Sequence, residues 1–205
     1  MKTIKAVAID AAFANMGLAS VDIWITPAGL VNVHGLDIRL ISTEREAHKV
    51  VRKSSDDLRR AKMLHSSLVE FVKGTEATIA FAEVPSGSQS ASAARALGIA
   101  VGVLGGCPLP IIEVSPMEVK KLFSKDGKRK VPKTEIIAWA MKQWPLLPWI
   151  RHAGKVTLAN EHLADAMAVV VAGISTNEFQ QLVAIHHAVP STNSNRPTSN
   201  RRALY

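Results

Sequence analysis

Apolar and polar positions alternate along this chain in two rhythms, one of strands and one of helices. Residues 3–10, TIKAVAID, are short, apolar and rich in β-branched side chains, which predicts a strand closing on Asp10. Residues 17–25 and 30–38 read as two more strands joined by TPAG (26–29). Proline second and glycine fourth in that link suit a type I turn, so the pair is expected to form a hairpin. From 54 to 74 the period changes to that of an amphipathic helix, with Leu58, Ala61, Leu64, Leu68 and Phe71 or Val72 as its apolar stripe and Gly74 as its stop.

The alternation then continues. ATIAFAE (77–83) predicts a buried strand closing on Glu83, and residues 90–106 a helix of small residues able to pack closely, with Gly98 and Gly102 inside it. PIIEV (110–114) is a short strand. SPME (115–118) opens a helix with Ser115 as N-cap, Pro116 in the first helical position and Glu118 as the reciprocal partner of a capping box. Residues 132–144 form a further helix stopped by Pro145, and Asn160 is expected to cap the helix of 160–173. A last short helix is expected at 177–188. The order of strands and helices indicates an α/β domain over residues 1–188, and the polar, proline-containing stretch 189–205 reads as a disordered basic tail.

Composition narrows the function classes. A length of 205 residues suits one domain, and the single cysteine, Cys107, excludes an internal disulfide and a cysteine-based zinc site. The N-terminus lacks the apolar core of a signal peptide and no uninterrupted apolar run reaches membrane-spanning length, so a cytoplasmic protein with no membrane partner is expected. The net charge of +8 is concentrated: Lys120, Lys121, Lys125, Lys128, Arg129, Lys130 and Lys133 stand against Asp126 alone between residues 120 and 133. Such a cluster suits a polyanion, nucleic acid above all, although a solvated basic loop has the same composition.

The segment NEHLADAMAVVVAG (160–173) departs from the pattern. It is almost wholly apolar after its first turns, yet Glu161, His162 and Asp165 fall on one side at three- and four-residue spacing, with Leu163, Met167, Val170 and Ile174 on the other. A buried helix avoids carboxylates unless something compensates them. Asp10 and Glu83 end two apolar strands, and if those strands are neighbours the three acids converge. Crowded carboxylates require a counter-charge, and hard oxygen ligands suit Mg²⁺ or Mn²⁺. Ala168 and Ala172, on the same side as the acids, are small enough to let the helix lie close to the sheet.

Taken together, these segments resemble the RuvC-type Holliday junction resolvases. AIDAAFANMGLASV is similar to that family's first strand and turn, with Asp10 at the strand end and Gly17 seven residues on. FAEVPSGSQSASAARALGIAVGVL, VSPMEVKKLFSKDGKRKVPKTEII and HLADAMAVVVA resemble its later motifs in order, covering roughly residues 3 to 175. The resemblance implies an RNase H-like fold, with a mixed five-stranded sheet flanked by helices. It also implies a homodimer and Mg²⁺-dependent resolution of four-way junctions and other branched DNA by symmetric nicks.

Carried onto this sequence, the metal ligands are Asp10, Glu83, Asp165 and His162, with Glu161 the alternative to His162. Two ions, Mg²⁺ or substituting Mn²⁺, would activate water and stabilise the departing oxygen, with Asp10 as the candidate bridge. Lys120 and Lys133 align with lysines that contact the DNA backbone and support catalysis, and Lys121, Lys128, Arg129 and Lys130 extend that basic surface. Ala11 and Ala12 replace the usual Pro-Gly, and the loop after Glu83 lacks the family's aromatic. This divergence suits a phage-encoded chain acting in its host's cytoplasm. The competing readings are an RNase H-like nuclease for RNA or flapped DNA, and a non-catalytic binder of the same fold.

Overall fold

Parallel strands need a long crossover while antiparallel ones need only a turn, and this chain uses both connections to build one mixed sheet. The computed structural model describes residues 2–26, 28–47, 51–85, 87, 90–124 and 131–188. Strand β1 (Lys2–Asp10) lies at the centre of five strands in the order β3-β2-β1-β4-β5. β2 (Asn15–Ile25) and β3 (Val31–Ser42) pair antiparallel on one side, and β4 (Ile79–Glu83) and β5 (Ile111–Val114) run parallel to β1 on the other. The β2–β3 link closes as expected, the Gly29 amide donating to the Thr26 carbonyl at 2.9 Å. β2 begins two residues earlier than the sequence pattern indicates, and β3 runs on to Ser42 instead of ending at residue 38.

Helices α1 (Lys53–Lys73) and α2 (Ala91–Gly105) are the crossovers from β3 to β4 and from β4 to β5, and both pack on one face of the sheet. There Val7, Ile9 and Leu18 meet Leu64, Leu68, Phe71, Val103 and Leu104. The opposite face carries Ala6, Ala8, Ala19 and Val21 against Leu163, Met167 and Val170 of α5 (Asn160–Gly173). β1 is therefore buried on both faces, which is why it reads as an unbroken apolar run. Between β5 and α5 lie α3 (Pro116–Lys121), α4 (Lys133–Gln143) and a two-stranded ribbon, β6 (Arg151–His152) with β7 (Lys155–Val156); α6 (Asn177–Ala188) follows α5.

Two glycines set the depth of α5. A Cβ on Gly17 of β2 would lie 1.9 Å from the His162 carbonyl oxygen, and one on Gly173 would lie 2.2 Å from the Phe81 ring. Both ends of the helix are thus pressed onto the sheet, with Ala168 and Ala172 buried between. Each large apolar side chain buried there is worth about 1.5–3 kcal/mol, so α5 contributes much of the core. No single helix among the described residues is long and apolar enough to cross a membrane.

The expected capping box of α3 is present, Ser115 accepting from the Glu118 amide and Glu118 from that of Ser115. Three of the tryptophans behave as core groups: Trp144 donates to the Val33 carbonyl, Trp149 donates to the Trp144 carbonyl, and Phe123, Trp139 and Trp144 pack edge to face.

Three expectations need correction. Leu58 is exposed, because the first turns of α1 bury Asp57 and Arg60 instead. The Arg60 guanidinium lies 3.9 Å from the Phe13 ring centre and donates to Thr43 Oγ1 and to the carbonyls of Phe13 and Thr43, while Asp57 pairs with Arg95 of α2 at 3.1 Å. Asn160 does not cap α5; it is the first helical residue and turns back to bond Ile150 and Thr157. The glycine face of α2 is open among the described residues, since a Cβ at Gly98, Gly102 or Gly105 would meet nothing within 4 Å. The proposed tail, 189–205, lies outside the described residues.

Candidate active site at the carboxyl ends of the central strands

β1 and β4 run in parallel register to their last residues, where Asp10 stands beside Glu83. Register partners on adjacent strands emerge from the same face about 4.8 Å apart. Asp10 continues the row of Ala6 and Ala8, so it looks toward α5. In open α/β sheets this is where ligands bind, outside the carboxyl ends of the strands.

The first turns of α5 deliver the remaining groups. His162 donates from Nδ1 to Oδ2 of Asp10 at 2.7 Å, both side chains being about one-fifth exposed. That hydrogen bond raises the imidazole above its ordinary 6.5, against the opposing effect of its burial. Asp165 lies one turn further on, more deeply placed. Burial first, then the charges of Asp10 and Glu161, push its carboxyl from 3.8 up to about 7, with His162 pulling the other way. Burial and then Asp10 also hold Glu83 above the usual carboxylate range, opposed by Lys120 of α3. Asp10 acts on both Glu83 and Asp165, and Glu83 acts on Asp165, which places the three in one electrostatic cluster.

Glu161, one residue from His162, points elsewhere. It forms an ion pair with Lys133, the first residue of α4, and this bond holds the lysine above its ordinary value. The two candidates for one role are therefore separated by the rotation of α5: His162 faces Asp10, and Glu161 faces α4. Among the described residues no three His, Cys, Asp or Glu side chains are already disposed to hold a metal ion. His162 closes on Asp10 instead.

Of the predicted basic residues, Lys120 borders the acids through Glu83, Lys133 borders them through Glu161 and Asp165, and Lys121 is exposed at the end of α3. Lys128, Arg129 and Lys130 lie outside the described residues. Sequence reasoning missed one pairing and one element. Lys133 as the partner of Glu161 had no signal, because the two are far apart in sequence. The β6–β7 ribbon and its buried anchor Asn160 had only a faint one, since two-residue strands are too short to display an alternating pattern.

No protein-family model matches the chain, and no curated protein does so either. Solved structures do match. Thermus thermophilus RuvC is similar with a TM-score of 0.58 and 18% identity, over 88% of this chain and 97% of that one. T. thermophilus RuvC in complex with a Holliday junction substrate gives a TM-score of 0.57 and 18% identity, over 87% and 96%. At this identity the likeness establishes the fold: a mixed five-stranded sheet flanked by helices, as in RuvC.

Proposed function

We propose that this chain is a RuvC-type, metal-dependent endonuclease that resolves four-way junctions and other branched DNA as a homodimer. The observation that carries the reading is the pairing of Asp10 with Glu83 at the ends of adjacent parallel strands, beneath His162 and Asp165 of α5. A binding protein gains nothing by setting such a cluster against a polyanion. The RuvC structure of the same fold was solved with a Holliday junction substrate, which supports the same substrate class here.

The donor set fits a hard divalent cation. Three carboxylates and one imidazole are crowded so that Glu83 and Asp165 are both held toward their protonated forms, and a cation in place of those protons would relieve the repulsion. Asp10, Glu83, His162 and Asp165 would hold two Mg²⁺ or Mn²⁺ ions, while Glu161 stays with Lys133. When bound, such ions supply an activated water and a counter-charge for the departing oxygen. Lys133, exposed at the edge of the cluster, neutralises charge developing on the scissile phosphate, and Lys120 steadies the backbone beside Glu83. Lys121, Lys128, Arg129 and Lys130 add sequence-independent phosphate contacts. The open face of α2 around Gly98, Val101, Gly102 and Gly105 is the surface available to a second copy, and two copies related by a twofold axis present two active sites to a junction of matching symmetry.

Cleavage of four-way junction, flap, duplex and RNA–DNA hybrid with and without Mg²⁺ tests the reading. Paired nicks on the junction that vanish with chelator are expected. Cutting of the hybrid with the junction ignored would overturn it in favour of an RNase H-like activity.

A further inference from the structure

We infer that the β6–β7 ribbon is a phosphate-contacting element that grips the DNA backbone beside the active site; the inference rests on the nuclease reading and adds a binding surface to it. The ribbon is a six-residue excursion between α4 and α5. Arg151 pairs with Val156 and His152 with Lys155, around a turn in which Ala153 and Gly154 have φ of 47° and 77°. Positive φ at both turn residues is what a two-residue hairpin link demands, but for alanine it costs about 1–2 kcal/mol.

The ribbon's charges carry a second cost. Arg151, His152 and Lys155 are all exposed, and among the described residues none of them has a carboxylate partner. His152 and Lys155 stand directly opposite one another, an arrangement that is unfavourable when both are charged. An isolated hairpin of this length would not persist in water.

It persists because it is pinned at its root. Asn160, fully buried, accepts from the Ile150 amide at 2.8 Å and donates to the carbonyls of Ile150 at 2.8 Å and Thr157 at 2.9 Å. The Thr157 amide adds a bond to the Ile150 carbonyl. Asn160 is also the first residue of α5, two before His162, so the ribbon springs from the active-site end of that helix. Three residues of strand reach about 10 Å from this root.

Charge balance gives this position its purpose. The acids repel a phosphate backbone, and the cations nearest them, Lys120 and Lys133, stand beside Glu83 and Glu161. The ribbon holds positive charge that no acid of the described chain neutralises. An exposed cationic turn, strained at Ala153 and rooted two residues before His162, is the form expected of a phosphate clamp.

The test measures junction binding by the full chain against KCl concentration in metal-free buffer, for wild type, Arg151→Ala/Lys155→Ala and Arg151→Glu/Lys155→Glu. The alanine variant should bind about 10-fold more weakly and flatten the log–log salt slope by about 0.9 per lost contact. The glutamate variant should be weaker still. At sub-saturating junction with Mg²⁺, single-turnover cleavage by the alanine variant should fall in step with its lost affinity. A wild-type chain that binds and cuts junctions, with variants of unchanged affinity and slope, overturns the ribbon assignment alone. A wild-type chain that neither binds nor cuts branched DNA overturns the nuclease reading and the ribbon with it.

Discussion

Gly17 and the carbonyl of His162 touch so closely that a methyl group on the glycine would sit 1.9 Å from that oxygen. The bare backbone of β2 lets the first turn of α5 settle over the end of β1, and this contact puts His162 within hydrogen-bond reach of Asp10. Gly17→Ala should lift that turn, costing about 1–3 kcal/mol by overpacking and most of the cleavage activity. Gly98→Ala, with open space around it, should instead stabilise its helix by up to about 1 kcal/mol. Urea unfolding of both variants and junction cleavage by Gly17→Ala check this; a Gly17→Ala protein as stable and active as wild type would refute the seating of α5.

Asp10→Asn should separate binding from chemistry. The amide keeps the shape of the carboxylate but removes its charge, and a loss of several kcal/mol of transition-state stabilisation means roughly 10³-fold or more in rate. Junction affinity should hold or tighten, because the basic residues supply it and one repulsive charge is gone. Single-turnover cleavage beside a gel-shift titration reads both, and near-normal cleavage would remove Asp10 from the metal site.

The pairings in α5 make different demands of neighbouring residues. His162→Ala should cripple cleavage, since it takes away the group that faces Asp10. Glu161→Ala should leave most of it, because that carboxylate only balances Lys133. His162→Asp should retain activity with a stronger preference for Mg²⁺ over Mn²⁺, as a hard oxygen ligand replaces imidazole. A metal series on the three variants decides the matter, and a dead Glu161→Ala beside an active His162→Ala would move the ligand by one position.

Protonation of the site should be visible in stability without metal. Asp165 is raised from 3.8 to about 7, so the folded protein binds its proton more tightly than the unfolded chain does. Stability is then greatest at acidic pH and falls as pH rises from about 4 to 7. His162, raised above 6.5, acts in the same direction: its contribution is complete below the unfolded value and disappears as pH climbs through the folded one. Asp165→Asn should therefore raise the chelated protein's melting temperature at pH 8, by up to about 4 kcal/mol in free energy, and do little at pH 4. Thermal melts across pH in EDTA measure this, and equal gains at both ends would show that the effect is not electrostatic.

The central strands were legible because both faces of β1 and β4 are covered, so every position is under the same apolar demand and the terminal acids stand out. The capping box of α3 was legible because it is local, three residues wide and self-contained. The buried first turns of α1 were not: Arg60 is buried only because Phe13 and Thr43, distant in sequence, offer it a ring and three oxygens. Asn160 looked like a cap because asparagine before an apolar run usually is one, but the ribbon's orphan backbone groups bid higher for its amide. The open face of α2 had the composition of a packed one, since small residues carry no mark of whether another surface lies against them.

What the sequence determined by itself was the succession of elements and the residue types at their ends: Asp10 and Glu83 closing strands, and an acid-and-histidine turn opening an apolar helix. These follow from local periodicity and capping, which act over a few residues. Tertiary structure alone decided that β1 and β4 are neighbours in register, that α5 presents His162 to Asp10 and Glu161 to Lys133, and that a charged ribbon is pinned to the first residue of α5. Those outcomes depend on how far α5 sinks at Gly17 and Gly173, and hence on its rotation over the sheet, a quantity set by contacts between segments distant in sequence.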